Sequence, residues 1–207
     1  GNSVEIFSYI IIAVVAYLLG NISTSYIVAK RIAGVDIRTQ GSGNAGSTNV
    51  LRTLGKRAGA MTFLGDVLKG VMAVLISEFA ARLVGIDTLL AGYLAVICVV
   101  AGHNWPAVLG FRGGKGVATS LGAMLAVNPV ITLMCLAVFI LVVAITKYVS
   151  LGSVVGIGCS PIFMIMVKNK AGLIVALFLT ASVIYNHRAN IKRLLNGTER
   201  KIGQKKE

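Results

Sequence analysis

Between Gly116 and Thr146 the chain runs for 31 residues without a charged side chain. A helix that faces water on one side must alternate apolar and polar positions, whereas one that is apolar all round has to be enclosed by protein or by lipid. Further apolar runs fall at about 4–24, 59–81, 87–102, 152–167 and 171–186. Only 13% of residues are charged and 56% are hydrophobic, where a soluble domain carries about a quarter charged. The fold class expected is an all-α integral membrane protein.

Lipid cannot satisfy backbone polar groups, so each crossing needs about 20 apolar residues in a helix. The stretch 116–146 is too long for one ordinary span and short for two. Asn128-Pro129 lies inside it, and the residue before a proline is biased away from helix. If two short spans turn there, seven transmembrane helices put residues 25–58, 103–115, 147–151 and the tail after 187 on one side. That side then holds every Lys and Arg except Arg82, Lys168, Lys170 and the intraspan Lys69. A single span would instead turn the basic tail, which ends in Lys205 and Lys206, to the opposite face from most other cations. The positive-inside bias therefore selects seven spans, with the N-terminus outside and the C-terminus cytoplasmic. The first run, Val4 to Ile22, lacks a basic leader and exceeds a signal core in length, so it reads as a retained span. Gly1 in place of Met reads as a processed or tagged start. No linker, repeat or second domain stands out, and residues 1–207 read as one membrane-embedded domain.

The net charge of +13 does not point to nucleic acid. The cations sit in short segments between apolar runs, with no basic helix or aromatic-basic platform. Cys98, Cys135 and Cys159 fall inside apolar runs and read as small core residues, not a disulfide framework.

Four polar segments, at about 38–58, 102–119, 147–154 and 186–200, share the cytoplasmic side. The first holds Gly41-Ser42-Gly43-Asn44-Ala45-Gly46-Ser47-Thr48-Asn49, then Arg52 and Lys56-Arg57. It matches a dinucleotide fingerprint by spacing, but that pattern needs a preceding strand and here a span precedes it. Glycines still let backbone N–H groups approach an anion, and Arg offers a bidentate fork. A phosphate site and a flexible polar loop with interfacial cations both fit the composition. The second segment holds Gly102-His103-Asn104-Trp105-Pro106 and Gly110-Phe111-Arg112-Gly113-Gly114-Lys115-Gly116. Position 109 is Leu and Gly116 replaces the magnesium-binding hydroxyl, so it is not a Walker loop. Lys115 lies immediately before a helix, where an anion is favoured by both charge and free N–H groups; its flanking glycines favour function over a snorkelling anchor. Trp105 reads as an interfacial belt residue.

The third segment is Tyr148-Val149-Ser150-Leu151-Gly152-Ser153, where Ser150 or Ser153 can cap the following helix or bind phosphate there. In the fourth, Asn186-His187-Arg188-Ala189-Asn190 with Arg193 beyond, His187 and Asn190 share a helix face. Asp66 and Lys69 also share a face inside a span. Intramembrane ions are functional candidates by default, but a structural ion pair is the favoured reading here.

Taken together, GSGNAGSTN with its Arg, HNWPAVLGFRGGKG, YVSLGS and NHRANIKRLLNGTE resemble the bacterial glycerol-3-phosphate acyltransferases that use acyl phosphate, the PlsY family. The resemblance runs from about Gly20 to Arg200 with the motifs in order; Ser47 stands where alanine is usual. It implies a multi-pass enzyme of the bacterial inner membrane with its active site on the cytoplasmic face. Such an enzyme transfers a fatty acyl group from acyl phosphate to the 1-hydroxyl of sn-glycerol 3-phosphate. The products are lysophosphatidate and inorganic phosphate, the first step of phospholipid synthesis. The resemblance also implies Lys115, Ser153, His187 and Asn190 as catalytic residues. The implied phosphate-binding set is Gly41, Ser42, Gly43, Asn44, Arg52, Gly114, Lys115 and Arg188.

The residues suit that chemistry. Acyl phosphate is already activated, so no enzyme nucleophile is needed, and neither a Cys-His arrangement nor a G-x-S-x-G elbow is found. The His-x4-Asp pattern of acyl-CoA enzymes is absent, with Val at 108 and Lys at 192. The proton acceptor stays open between His187 and a substrate phosphate oxygen. No cofactor or metal is expected, and no oligomer is required. A phosphate-compound transporter is the main rival, but a conduit needs polar groups through the midplane, where only Asp66 and Lys69 offer them.

Overall fold

The computed structural model describes residues 2–204, all of whose regular elements are helical. Gly1, Lys205 and Lys206 lie outside the described residues. The contacts gather into two compact units, Gly1–Val127 and Asn128–Glu207.

The first unit contains α1 (Asn2–Gly20), α2 (Thr24–Ala33), α3 (Ser47–Leu54), α4 (Lys56–Val84), α5 (Thr88–Asn104) and α6 (Val117–Val127). Helix α4 is its axis, packed on by α1, α2, α3, α5 and α6, while α1 also lies along α5. Two glycine crossings set these contacts. Gly20 and Gly102 meet backbone to backbone, so a Cβ on Gly20 would strike the Val99 carbonyl and one on Gly102 the Tyr17 carbonyl. Gly70 and Gly122 do the same between α4 and α6, against the Thr119 and Val67 carbonyls. Lipid offers helices no hydrophobic reason to associate, so close van der Waals approach at small residues takes over that role. A small apolar cluster of Val28, Ala29, Ile37, Ala45, Val50 and Ala58 roots the segment after α2 against α3 and α4.

The second unit contains α7 (Pro129–Thr146), α8 (Val149–Gly158), α9 (Ser160–Met166), α10 (Lys170–Asn186) and α11 (Arg188–Leu195). Helix α8 packs on α7, α10 and α11, and α9 on α10. The expected break at Asn128-Pro129 is present: Asn128 leaves the helical region and its side chain accepts the Ile131 N–H at 3.3 Å. Only the segment before it is short, however. Eleven residues of α6 rise about 16 Å, while the 18 residues of α7 are enough for a full crossing.

The run expected as one helix over 152–167 is broken between α8 and α9. Pro161 has no N–H and its ring displaces the carbonyl four residues back. That carbonyl, on Ile157, is taken instead by the hydroxyls of Ser160 at 2.6 Å and Thr180 at 3.3 Å, as hydrocarbon requires. Helices α10 and α11 meet at 62°.

Among the described residues, four helical stretches are long and apolar enough to cross a membrane: Ser3–Ala33, Thr88–Leu109, Pro129–Thr146 and Val149–Met166. A fifth is added if the bent α10–α11 pair counts as one span. Helix α4, which carries Asp66, Lys69 and Glu78, falls outside that set, as does the 11-residue α6. Cys98, Cys135 and Cys159 are free thiols, half-buried where full burial in a core was expected. Gly122→Val should force α6 off α4 and lower stability by about 1–3 kcal/mol, read as a fall in the thermal midpoint in detergent; an unchanged midpoint would mean the glycine contact does not hold the pair.

Candidate active site

In the first unit, two glycine-rich loops are held by main-chain geometry. The first begins at Gly34, left-handed at the end of α2. Asp36 then caps a 3-10 turn over Ile37–Thr39, and Arg38 folds back to donate to its carboxylate from Nε and from an Nη, at 2.8 Å for the latter. The remaining Arg38 Nη donates to the Leu109 carbonyl at 2.8 Å and so ties the first loop to the second. The Arg38 guanidinium holds the Asp36 carboxyl below its ordinary range.

The chain next passes through Gly41 and Gly43, both at positive φ. That region is strained for any side chain, which is why this segment reads Gly-Ser-Gly. Asn49, on the first turns of α3 and only 3% exposed, organises what surrounds it. Its Nδ2 donates to the carbonyls of Gln40 at 2.9 Å and Asn44 at 3.0 Å, and its Oδ1 accepts the Ser42 N–H at 3.1 Å. The loop then enters α3 at Gly46, which offers no side-chain cap. The first N–H groups of that helix therefore point toward the loop without a side-chain acceptor from the N-cap, the arrangement in which helix starts bind anions. Gly41 and Ser42 are exposed, Gly43 and Asn44 half-buried, and Arg52 is exposed in the last turn of α3.

The second loop follows α5. Gly113 N–H donates to the Asn104 carbonyl and Gly114 N–H to the His103 carbonyl, each at 3.2 Å, so the loop lies back along the helix it has just left. Tyr17 reinforces the turn: its hydroxyl donates to the Trp105 carbonyl at 2.7 Å and accepts the Ala107 N–H at 3.1 Å. Gly116 has φ +79, and Asn104 Oδ1 occupies the place where its Cβ would be. Only glycine can therefore connect half-exposed Lys115 to the start of α6. Gly114 is wedged between the His103 ring and the Ala45 carbonyl, which brings the two glycine loops into direct contact.

Beneath them lies a buried polar cluster on α1, α4 and α5. Lys69 Nζ donates to the Gly20 and Ile22 carbonyls at 3.1 and 2.8 Å, stands 2.8 Å from His103 Nδ1 and 3.3 Å from Asp66 Oδ1. The Asp66–Lys69 pair expected from the sequence is present, but it is a trio with His103.

In the second unit the cap expected from Ser150 or Ser153 is not made. Tyr148 occupies the N-cap of α8 without a side-chain bond. Ser153 Oγ instead donates to the Val149 carbonyl one turn back at 2.8 Å, and Ser150 Oγ is 3.3 Å from Glu199 Oε1. Both hydroxyls sit too far into the helix to reach its first amides. Glu199, buried at 7% exposure, also accepts from Asn190 Nδ2 at 2.9 Å and Arg193 Nε at 2.8 Å. This fixes which end of the Asn190 amide is which. His187, at the bend between α10 and α11, places Nδ1 2.9 Å from the Val183 carbonyl. A carbonyl can only accept, so neutral His187 carries its proton on Nδ1 and has its basic lone pair on Nε2. Arg188, expected to bind phosphate, is exposed; it donates to the Tyr185 carbonyl at 2.8 Å and lies over the Tyr185 ring at 4.3 Å.

Sequence reasoning assigned no role to Asn49, His103 or Glu199. Glu199 carried a signal, as an acid amid Lys192, Arg193, Arg200 and Lys201. Asn49 and His103 stood inside motifs already noted, but their partners are fixed by the fold.

A family model described as glycerol-3-phosphate acyltransferase matches residues 10–197. A glycerol-3-phosphate acyltransferase of Thermoanaerobacter sp. is 48% identical over 199 residues, covering 96% of this chain and 98% of the relative. One from Synechococcus elongatus is 43% identical over 203 residues, covering 96% of each. Among solved structures, the glycerol 3-phosphate form of PlsY, an integral membrane glycerol 3-phosphate acyltransferase, superposes with a TM-score of 0.85 at 40% identity. That match covers 95% of this chain and 96% of the other. The lysophosphatidic acid form matches with a TM-score of 0.82 at 39% identity over the same shares.

A carboxylate with a depressed folded value stabilises the fold above its unfolded value, near 3.9, and loses that contribution as the pH falls through the folded value. The gap in thermal midpoint between wild type and Asp36→Asn should therefore be full at pH 6 and close below about pH 4. A gap independent of pH would show that the Asp36 charge is not what holds the turn.

Proposed function

Since the chain belongs to the glycerol-3-phosphate acyltransferase family, we propose that it transfers a fatty acyl group from acyl phosphate to the 1-hydroxyl of sn-glycerol 3-phosphate, releasing lysophosphatidate and inorganic phosphate. The observation that carries this reading is the pair of touching glycine loops. The first opens α3, whose first N–H groups have no side-chain acceptor from the N-cap and which carries Arg52; the second brings Lys115 to the residue pair just before α6. Both proposed substrates are phosphates, and such a site recognises phosphate by geometry as well as charge.

On this reading Gly41, Ser42, Gly43, Asn44 and Gly114 line the phosphate sites, Arg52 and Lys115 neutralise the phosphates, and Arg188 contributes further positive charge for phosphate. Lys115 also stabilises the negative charge that builds on the acyl oxygen as the hydroxyl attacks. The mixed anhydride then expels phosphate, so no acyl-enzyme forms. His187 and Asn190 orient glycerol 3-phosphate, and Ser153 donates from α8. The proton leaves the attacking hydroxyl either to His187 Nε2, the basic nitrogen in the tautomer described above, or to a substrate phosphate oxygen. The lack of a His-x4-Asp pair supports acyl phosphate over acyl-CoA as donor. Residues 1–207 act as one acyltransferase domain, as a family match running through both units supports. The membrane is the bacterial inner membrane. The chain crosses it seven times with α4 and α6 included, N-terminus outside and C-terminus cytoplasmic, so that the polar segments share the cytoplasmic face with most cations. The acyl chain lies between helices, open to lipid.

Purified protein given acyl phosphate should release phosphate and form lysophosphatidate only when glycerol 3-phosphate is present. Lys115→Ala should abolish both while melting like wild type. Turnover near normal in that variant would remove Lys115 from the mechanism, and no transfer by well-folded wild type would sink the acyltransferase reading.

A further inference from the structure

Lys69 has a peculiar set of neighbours. An ammonium has three N–H donors and no lone pair, and four acceptors surround this one. Ile22 O and His103 Nδ1 are nearest, each at 2.8 Å, followed by Gly20 O at 3.1 Å and the Asp66 carboxylate at 3.3 Å. The carbonyls and the carboxylate can only accept. The carboxylate holds the lysine as the cation, but its Oδ1 makes no hydrogen bond among the described residues, so the three ammonium protons go to Ile22 O, Gly20 O and His103 Nδ1. His103 must therefore accept there and carry its own proton on Nε2.

The other side of the ring is not against apolar packing. Nε2 stands where a Cβ on Gly114 would be, and the Ala45 carbonyl borders the same position. Gly114 N–H is meanwhile bonded to the His103 carbonyl. Backbone and ring of one residue thus hold the loop that leads to Lys115, at a point that the Ala45 carbonyl of the first loop also borders.

We propose that Asp66, Lys69 and His103 form a buried positioning chain, in which the Lys69 ammonium fixes His103 as its Nε2–H tautomer so that the ring donates into the joint between Gly114 and the Ala45 carbonyl and holds the two glycine loops in register. His103 is a positioning residue: it acts through the loops and leaves the reacting atoms to others. Asp66 keeps Lys69 charged, and the carbonyls at the end of α1 aim it. The chain has two histidines, and they take opposite tautomers, because His187 faces a carbonyl through Nδ1 while His103 faces an ammonium there.

The consequence for catalysis rests on the acyltransferase reading; the tautomer does not. Nitrogen-15 NMR of protein labelled at histidine, with the two rings assigned through His103→Gln, reads the tautomer directly. His103 should show its unprotonated nitrogen at Nδ1 and His187 its unprotonated nitrogen at Nε2. Lys69→Met should shift the His103 signals away from the pure Nε2–H form. In acyl transfer, His103→Leu should raise KM for glycerol 3-phosphate tenfold or more in the fraction that stays folded, and it should also lower the thermal midpoint because one Lys69 N–H loses its acceptor. His103→Gln, whose amide N–H reaches about as far as Nε2–H, should recover most of that loss. Protonation of wild-type His103 on Nδ1 or on both nitrogens would overturn the proposal, and so would equal activity of the Leu and Gln variants. Wild type that shows the expected tautomers and no transfer would refute the function and leave the chain itself standing.

Discussion

An ammonium ion inside a bundle of apolar helices must be surrounded by oxygen or nitrogen, because water is not there to do it. Lys69 obtains that shell from three helices and a turn: the Gly20 carbonyl that ends α1 and the Ile22 carbonyl just beyond it, a carboxylate on its own α4, and an imidazole on α5. None of these can move without leaving charge uncovered. The requirement fixes where α1 must end, and the Gly20–Gly102 crossing, made by the same residue whose carbonyl meets Lys69, lets it end close enough. The polar loops that follow α2 and α5 thus start from a base whose geometry is dictated electrostatically.

Each unit then repeats one device, a buried polar side chain that orders a polar segment. Asn49 uses both ends of its amide on the first loop, and Glu199 collects Ser150, Asn190 and Arg193 around one carboxylate. Unsatisfied buried donors and acceptors are costly, so a side chain that engages several of them at once holds a segment more firmly than scattered contacts would.

What could be read in the sequence was local. Asn128-Pro129 announced its break because proline acts on its immediate neighbours, and Asp66 and Lys69 were paired because three residues is almost one helical turn. The four polar segments were found by composition, and glycine spacing marked the loops. Relations across the fold could not be read this way: His103 meets Lys69 from 34 residues away and Asn49 gathers a loop whose path it helps to define. Pro161 failed for another reason. Its run is uniformly apolar, so hydropathy hid a break that the hydroxyls of Ser160 and Thr180 repair. The serine caps failed by position, Ser150 standing two residues and Ser153 five residues past the N-cap at Tyr148, which is enough when a cap must stand at one position.

The first loop's dependence on Gly41 and Gly43 has an evolutionary consequence. A recognition surface made of peptide N–H groups has no titration of its own and nothing to oxidise. On the proposed reading, its affinity for phosphate would follow pH chiefly through the ionisation of the ligand. It also has almost no neutral neighbours in sequence space, since any side chain at either glycine breaks the backbone that creates it. Adaptation in such a chain is channelled to its lipid-facing apolar residues, such as Leu133, Ile140, Leu141 and Ile145 on α7. There substitutions can drift or be selected without touching the positive-φ backbone of Gly41 and Gly43.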